Sequence, residues 1–151
     1  MIRPARRDDL DSIGELIRAL AEYEDMVDDV VWTIDQLDEH LFGADPAARV
    51  TLACDDGDGR VVGMALWFRT FSTFLGRPGI WLEDLFVRPE DRGRGHGLAL
   101  LGHLRSLTDG RVEWSVLDWN TPSIDFYERL GARPLEGWTT YRWFDAGPAT
   151  D

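Results

Sequence analysis

Three glycines at alternate positions stand directly in front of an apolar run in the segment RPEDRGRGHGLALLGHL, residues 88–104. They are Gly93, Gly95 and Gly97. Because glycine loses more backbone entropy on folding than any other residue, such a cluster indicates a backbone that turns tightly or lets a ligand come close. The preceding GIWLEDLFV is typical of a strand, and the following LALLGHLRSLTDG predicts a helix that ends at Gly110.

The first half of the chain alternates between strand and helix patterns. MIRPA predicts a first strand, and apolar residues from position 10 to 20 recur at helical spacing behind a cap at Asp8 or Asp9. TIDQLDEHLFG predicts a second helix with a capping box at its start and a left-handed stop at Gly43. RVTLACDD and RVVGMALWFRTF are predicted strands, and the turn DGDG between them indicates a hairpin.

The second half adds one parallel unit. RVEWSVLD predicts a strand, and TPSIDFYERLG predicts a short helix with Thr121 as its cap and Gly131 as its stop. ARPLEGWTTYRWFD is expected to close the chain as two short strands. GIWLEDLFV and RVEWSVLD flank a helix and should therefore run parallel.

The predicted fold is mixed α/β, with a largely antiparallel sheet, one parallel βαβ unit and helices on both faces. We expect a single domain over residues 1–145 and a frayed tail over 146–151.

Composition excludes several classes of protein. A net charge of −12 argues against nucleic-acid binding, which needs basic patches. No apolar run is long enough to span a membrane. The single cysteine, Cys54, allows no internal disulfide and favours a cytoplasmic location. The three histidines stand at no metal-ligand spacing, so we expect no metal.

The glycine segment admits several interpretations. A dinucleotide fingerprint needs a different glycine spacing directly after the strand, although Asp118 stands where its acidic partner would be expected. A P-loop is excluded because the chain has no lysine. A glycine-rich helix start without a ligand remains open. The other alternative is a diphosphate cradle, in which backbone N–H groups, the helix N-terminus and two arginines face an anion.

The segment LEDLFVRPEDRGRGHGLALL resembles the acetyl-coenzyme A binding signature of the GNAT N-acetyltransferases, [R/Q]-x-x-G-x-[G/A]. IRPA, LAEYEDM, WLEDLFV and DWNTPSIDFYERLGA further resemble the diamine, or spermidine/spermine, branch at corresponding places. The resemblance implies the fold expected above, with two parallel strands that splay apart.

It also implies the residues that hold acetyl-coenzyme A. The loop and helix start would bind the diphosphate, the backbone of the strand before them would pair with the pantetheine arm, and two residues near the last helix would contact the cofactor. These residues are Leu85, Phe86, Val87, Arg92, Gly93, Arg94, Gly95, His96, Gly97, Leu98, Asn120 and Ser123.

Acetyl transfer to an amine needs a proton acceptor for the amine and a proton donor for the departing thiolate. Tyr127 is the candidate donor, because a phenol with a pKa of about 10 matches a thiolate of similar basicity. Without the resemblance, its helical spacing with apolar neighbours favours core packing. Glu83 and Asp84 lie inside an apolar strand, and such carboxylates are costly unless they line a cavity or pair with arginine. Neighbouring strand residues are expected to face opposite sides.

The resemblance assigns Glu83 as the base or water-holder, Asp84 as the anchor for a cationic amine, and Tyr23 and Glu24 as further contacts to the amine. A solvated acidic surface is the alternative for the last two. The expected reaction is direct transfer of acetyl from acetyl-coenzyme A to a polyamine or diamine. The alternatives are another amine, such as a thialysine-like amino acid or an aminoglycoside, or a module that binds coenzyme A or another anion without turnover. Relatives imply a homodimer.

Overall fold

The computed structural model describes residues 1–143. The tail predicted for residues 146–151, and the last two residues of the predicted closing strands, lie outside the described residues. The helices are α1 (Leu10–Tyr23), α2 (Ile34–Phe42), α3 (His96–Ser106) and α4 (Thr121–Arg129). The strands are β1 (Ile2–Pro4), β2 (Arg49–Cys54), β3 (Val61–Ser72), β4 (Arg77–Val87) and β5 (Val112–Trp114).

The described chain forms two compact units, Met1–Ser115 and a second one that begins at Val116. The first contains a five-stranded sheet in the order β1-β2-β3-β4-β5. All neighbouring strands in it are antiparallel except β4 and β5, which are parallel. The second unit contains α4. The predicted mixed α/β fold with one parallel pair is therefore confirmed.

Helices cover both faces of the sheet in the first unit. Alternate residues of β2 point to one face, where they form a core with α1, α2, β3 and β4; that core contains Ile13, Leu16, Leu41, Val50, Leu52, Cys54, Met64 and Phe86. α3 packs on β1 to β4 through buried leucines that do not belong to this core, so it covers the other face. No helix within residues 1–143 is long and apolar enough to cross a membrane.

The structure confirms some predicted helix ends and corrects others. The capping box at the start of α2 is present, with Thr33 Oγ1 accepting from Gln36 N at 3.3 Å and Gln36 Oε1 accepting from Thr33 N at 2.9 Å. Gly131 follows α4 with a φ of +88°, as expected of a left-handed stop. The same prediction is wrong for Gly43, whose φ of −70° and ψ of −169° are extended. Glycine is required there because a Cβ would collide with the Glu39 carbonyl.

The end of the chain differs most from the sequence prediction. α3 begins at His96 and ends at Ser106, well before Gly110. RVEWSVLD forms a strand only over Val112–Trp114. Residues 132–143 contain no strand in the part of the chain that the structure describes. The cap of α4 is Asn120, one residue before the predicted Thr121, because the Asn120 side chain accepts a hydrogen bond from Ser123 N.

Two glycine-to-alanine substitutions should have opposite effects on stability. At Gly63 a Cβ would lie 2.7 Å from the Phe86 carbonyl of the neighbouring strand. The strands must separate to accommodate it, so Gly63→Ala should destabilise the fold by about 1–3 kcal/mol. Gly102 lies inside α3, where a Cβ would meet nothing within 4 Å. Gly102→Ala should therefore stabilise the fold by about 0.5–1 kcal/mol.

Urea unfolding of both variants measures these free energies. Equal effects of the two substitutions would contradict the close approach of β3 and β4 at Gly63.

Candidate functional site

β4 carries a β-bulge at Glu83. Asp84 lies opposite Leu66 on β3, whereas the next residue of β3, Trp67, lies opposite Leu82. Glu83 is therefore the extra residue. Because opposite residues in an antiparallel pair share a face and Leu66 packs on the core beneath α1, Asp84 also lies on the α1 face.

Glu83 lies on that same face. Trp81 lies opposite Phe68, two positions along β3 from Leu66, so it too is on the α1 face. The Trp81 indole donates from Nε1 to Glu83 Oε2 at 2.8 Å. The expectation that Glu83 and Asp84 face opposite sides is wrong, because the bulge interrupts the alternation between them.

Three of the carboxylates predicted to bind the amine come together here. Burial, together with smaller contributions from the negative charges of Glu83 and Glu24, raises the pKa of Asp84 to about 6. Glu24 directly follows α1, and its own burial raises its pKa. The structure thus forms a cluster of acidic side chains in which the half-buried Asp84 is strongly destabilised as an anion.

Tyr23 contacts the start of the glycine loop instead. The Arg92 guanidinium lies 4.9 Å from the centre of the Tyr23 ring and 5.5 Å from that of Phe86. Arg92 Nε also donates to the Val87 carbonyl at 2.9 Å. Arg92 therefore fastens the end of β4 to the end of α1.

One edge of β4 is open beyond the bulge. The parallel pairing with β5 covers residues 80–82 and 112–114. Within the described chain, no strand pairs with residues 83–87 on that side. Leu85, Phe86 and Val87, the residues predicted to pair with the pantetheine arm, form this edge, which an extended ligand could join as an added strand.

The glycine loop has the shape of an anion cradle. Gly93 and Gly95 have φ values of +76° and +85°, which favour glycine, and a Cβ on either would meet nothing within 4 Å. The first hydrogen bond of α3 runs from Ala99 N to Gly95 O at 3.0 Å. The N–H groups of residues 96–98 therefore have no acceptor within the helix, and they carry its positive end. The loop and helix start fit a diphosphate.

The Arg94 side chain has acidic partners that the sequence analysis missed. Its guanidinium pairs with Asp55 at 2.9 Å and with Asp91 at 3.0 Å. Asp91 is only 2% exposed and accepts two further bonds of 3.0 Å from Arg60. Bonds from Arg60, with a smaller contribution from Arg94, lower the pKa of Asp91 despite its burial. The spacing of Asp91 and Arg94 hinted at this pair, but only the hairpin between β2 and β3 brings Asp55 and Arg60 to it.

One buried histidine nitrogen and the arrangement of potential metal-binding side chains concern the possible ligands of this site. His96 Nε2 is buried and has no hydrogen-bond partner among the described residues. Within residues 1–143, no group of three or more His, Cys, Asp or Glu side chains could hold a metal ion.

The second unit carries the remaining candidates. Asn120 is buried, and its Oδ1 accepts from Ser123 N at 3.4 Å, so both residues belong to the start of α4. Tyr127 is half-buried in α4, with its ring centre 5.4 Å from that of Phe126.

Comparisons with known proteins agree with this arrangement. Residues 15–132 match the acetyltransferase (GNAT) family. Bovine thialysine N-epsilon-acetyltransferase is 38% identical over 156 aligned residues, which cover 95% of this chain and 91% of the relative. Human spermidine/spermine N(1)-acetyltransferase-like protein 1 is 29% identical over 154 residues, which cover 94% of this chain and 22% of the relative.

A solved structure shows the same fold. An integron cassette protein from V. cholerae superposes with a TM-score of 0.78 at 24% identity, covering 97% of this chain and 93% of the other. The resemblance to the GNAT enzymes and to their diamine branch is confirmed by these matches. The chain belongs to the acetyltransferase (GNAT) family.

Proposed function

We propose that this protein transfers the acetyl group of acetyl-coenzyme A to a terminal primary amine of a small cationic acceptor, a diamine or polyamine. The observation that carries the proposal is the acidic cluster at the β4 bulge, where Asp84, Glu83 and Glu24 share one environment. An alkylammonium is cationic at neutral pH because its pKa is about 10. It would relieve the repulsion among these carboxylates, which supports a cationic acceptor.

The two carboxylates of the bulge differ in ways that suit different tasks. Asp84 is half-buried, and a desolvated carboxylate attracts a cation more strongly than a hydrated one, so it suits the anchor. Glu83 is exposed, and the Trp81 indole fixes its orientation. It can therefore pass the amine proton to water, as a general base must.

The first unit also offers the groups that acetyl-coenzyme A requires. Gly93, Gly95 and the first turn of α3 would hold its diphosphate, and the open edge of β4 would hold its extended arm. Asn120 and Ser123 are proposed as further contacts. When bound, acetyl-coenzyme A supplies a thioester as the acetyl donor.

Tyr127 is proposed as the proton donor to the departing thiolate. Its phenol has the basicity that this transfer needs.

A thialysine-like amino acid is the second candidate acceptor. The 38% identity with the bovine thialysine enzyme, over nearly the whole of both chains, favours it. Such an acceptor has the same terminal ammonium but adds a carboxylate, which the acidic cluster would repel.

Thiol release from acetyl-coenzyme A with a panel of amines tests the proposal. Spermidine, putrescine, thialysine, lysine and an aminoglycoside separate the candidate acceptors by charge and length. Fastest turnover with spermidine or putrescine would support the first candidate, and fastest turnover with thialysine the second. Binding of acetyl-coenzyme A without turnover of any amine would contradict both.

We also propose a cytoplasmic homodimer. The hairpin between β3 and β4 exposes Phe71, Phe74 and Leu75, with Phe74 97% exposed. A second copy is the partner proposed to cover such an apolar surface. For the cytoplasmic location, the supporting observation is the free thiol of Cys54, which is compatible with a reducing compartment. Sedimentation equilibrium would reveal the dimer, and a monomer at micromolar concentration would contradict it.

Asp84 should make amine binding depend on pH. Because its pKa is about 6 rather than 3.8, it is ionised at pH 7 and becomes neutral as the pH falls below about 6. The KM for the amine should rise over that range, and Asp84→Asn should abolish the dependence and raise the KM at pH 7.5 by about 10- to 100-fold. Asp28→Asn, an exposed acidic residue of the same unit, is the control for net charge.

Asp84→Asn should impair amine binding but stabilise the folded protein at neutral and higher pH. A carboxyl whose pKa is raised in the folded state destabilises the fold as the pH rises from about 4 through about 6. Asp84→Asn should therefore melt at a higher temperature than the wild type at pH 8 and at a similar temperature at pH 4. A lower melting temperature at pH 8 would show that Asp84 is a stabilising ion-pair partner instead of a site residue.

Tyr127→Phe should lower kcat by about 100-fold, because a general acid contributes at least that much and only the hydroxyl is lost. The affinity for acetyl-coenzyme A should stay within about twofold of the wild type, as calorimetry would show. Asp125→Asn, an exposed residue of the same helix, is the matched control. A wild-type kcat in Tyr127→Phe would remove this residue from the mechanism.

A further inference from the structure

Four side chains connect the glycine loop to the turn between β2 and β3. Arg94 bonds to Asp55 and Asp91, and Asp91 bonds in turn to both terminal nitrogens of Arg60. Asp55 also accepts from Gly57 N at 2.8 Å, which fixes its carboxylate within the turn. We call these four residues, Asp55, Arg60, Asp91 and Arg94, the acid–arginine clamp.

The position of Arg94 makes the clamp important for the shape of the loop. Arg94 stands between Gly93 and Gly95, which both have positive φ, and nothing lies within 4 Å of the Cβ position of either glycine. Glycine has the largest conformational freedom of any residue, so ordering this stretch costs more entropy than ordering other loops, and a contact that restrains it lowers that cost on binding. The Arg94 side chain supplies such a contact in the middle of the loop, in addition to the contacts of Arg92 at its start.

The charges of the clamp are unexpected for an anion site. Asp55 and Asp91 are negative, and both are bonded to a loop proposed to hold a diphosphate. Through space they would repel that ligand. Both also engage the guanidinium that would otherwise be available to a phosphate. A direct electrostatic effect therefore predicts that removing either carboxylate improves binding.

We propose that Asp55 and Asp91 are positioning residues for acetyl-coenzyme A, acting through Arg94 to hold the backbone of residues 92–97 in its binding conformation. Their contribution is preorganisation, which lowers the entropy that the loop loses when the ligand binds. The inference rests on the proposed acetyl-coenzyme A site. It predicts that removing either carboxylate weakens the binding of acetyl-coenzyme A, whereas the direct electrostatic effect predicts that binding becomes tighter.

Calorimetric titration with acetyl-coenzyme A distinguishes the two. Asp55→Asn and Asp91→Asn should each raise the Kd by about tenfold, the amount that one lost charge-assisted hydrogen bond implies. The KM for the amine should stay within about twofold of the wild type, because the acidic cluster at the bulge is not part of the clamp. Asp55→Asn is the more informative variant, since it leaves the buried Asp91–Arg60 pair intact.

Two controls separate positioning from a general loss of stability. Thr51→Val breaks a different buried hydrogen bond, from Trp67 Nε1 to Thr51 Oγ1 at 3.1 Å. It should lower the melting temperature without changing the Kd. Gly95→Asp places a side chain and a negative charge within the cradle, so it should abolish binding if the site is correct.

Each outcome decides a different point. An unchanged or tighter Kd in Asp55→Asn would overturn the clamp proposal while leaving the site in place. A weaker Kd in Thr51→Val, equal to that in Asp55→Asn, would also overturn it, since stability alone would explain the effect. Absence of binding in the wild type, or normal binding in Gly95→Asp, would overturn the proposed site and the clamp with it.

Discussion

The β-bulge in β4 is the constraint on which the candidate amine site depends. One extra residue, Glu83, shifts the register with β3. As a result, Asp84 lies opposite Leu66 and on the same face of the sheet, beneath α1. Without the bulge, strand alternation would place Glu83 and Asp84 on opposite faces. With it, two carboxylates lie side by side near the end of α1, and burial raises the pKa of Asp84 to about 6. Burial of Asp84 and, to a smaller extent, its repulsion by Glu83 and Glu24 are the stability cost of a site suited to a cation.

The neighbouring glycine loop follows a different physical logic. Its backbone donors and helix N-terminus attract an anion, and its two positive-φ glycines leave space for one. Flexibility would weaken such a site, because each ordered residue loses entropy on binding. Ion pairs of Arg94 with Asp55 and Asp91 oppose that flexibility from outside the loop. The candidate cation site at the β4 bulge and the candidate anion site on the glycine loop thus lie on adjoining segments of the chain.

Local patterns in the sequence predict much of this fold. The capping box of α2, the hairpin of β2 and β3 and the glycine loop are each encoded within a few residues, and all are present. The parallel pairing of β4 and β5 was also predictable, whereas two other features that depend on distant segments were not. The alternation in WLED gives no sign of a bulge, because the register depends on β3. Asp55 and Arg94 are 39 positions apart, and only the folded hairpin brings them together. Gly43 and Gly110 are not left-handed helix stops, because close approach of the backbone of other residues requires glycine at both positions.

The central proposal is that acetyl-coenzyme A binds along the open edge of β4 and on the glycine loop. Hydrogen exchange of the backbone amides, measured with and without acetyl-coenzyme A, tests this proposal most directly. We expect slower exchange of the amides of residues 85–87 and 92–98 when acetyl-coenzyme A is bound. Exchange in β1, at the opposite edge of the sheet, should not change. Binding that leaves residues 85–98 unaffected, or that protects β1 instead, would contradict this location of acetyl-coenzyme A.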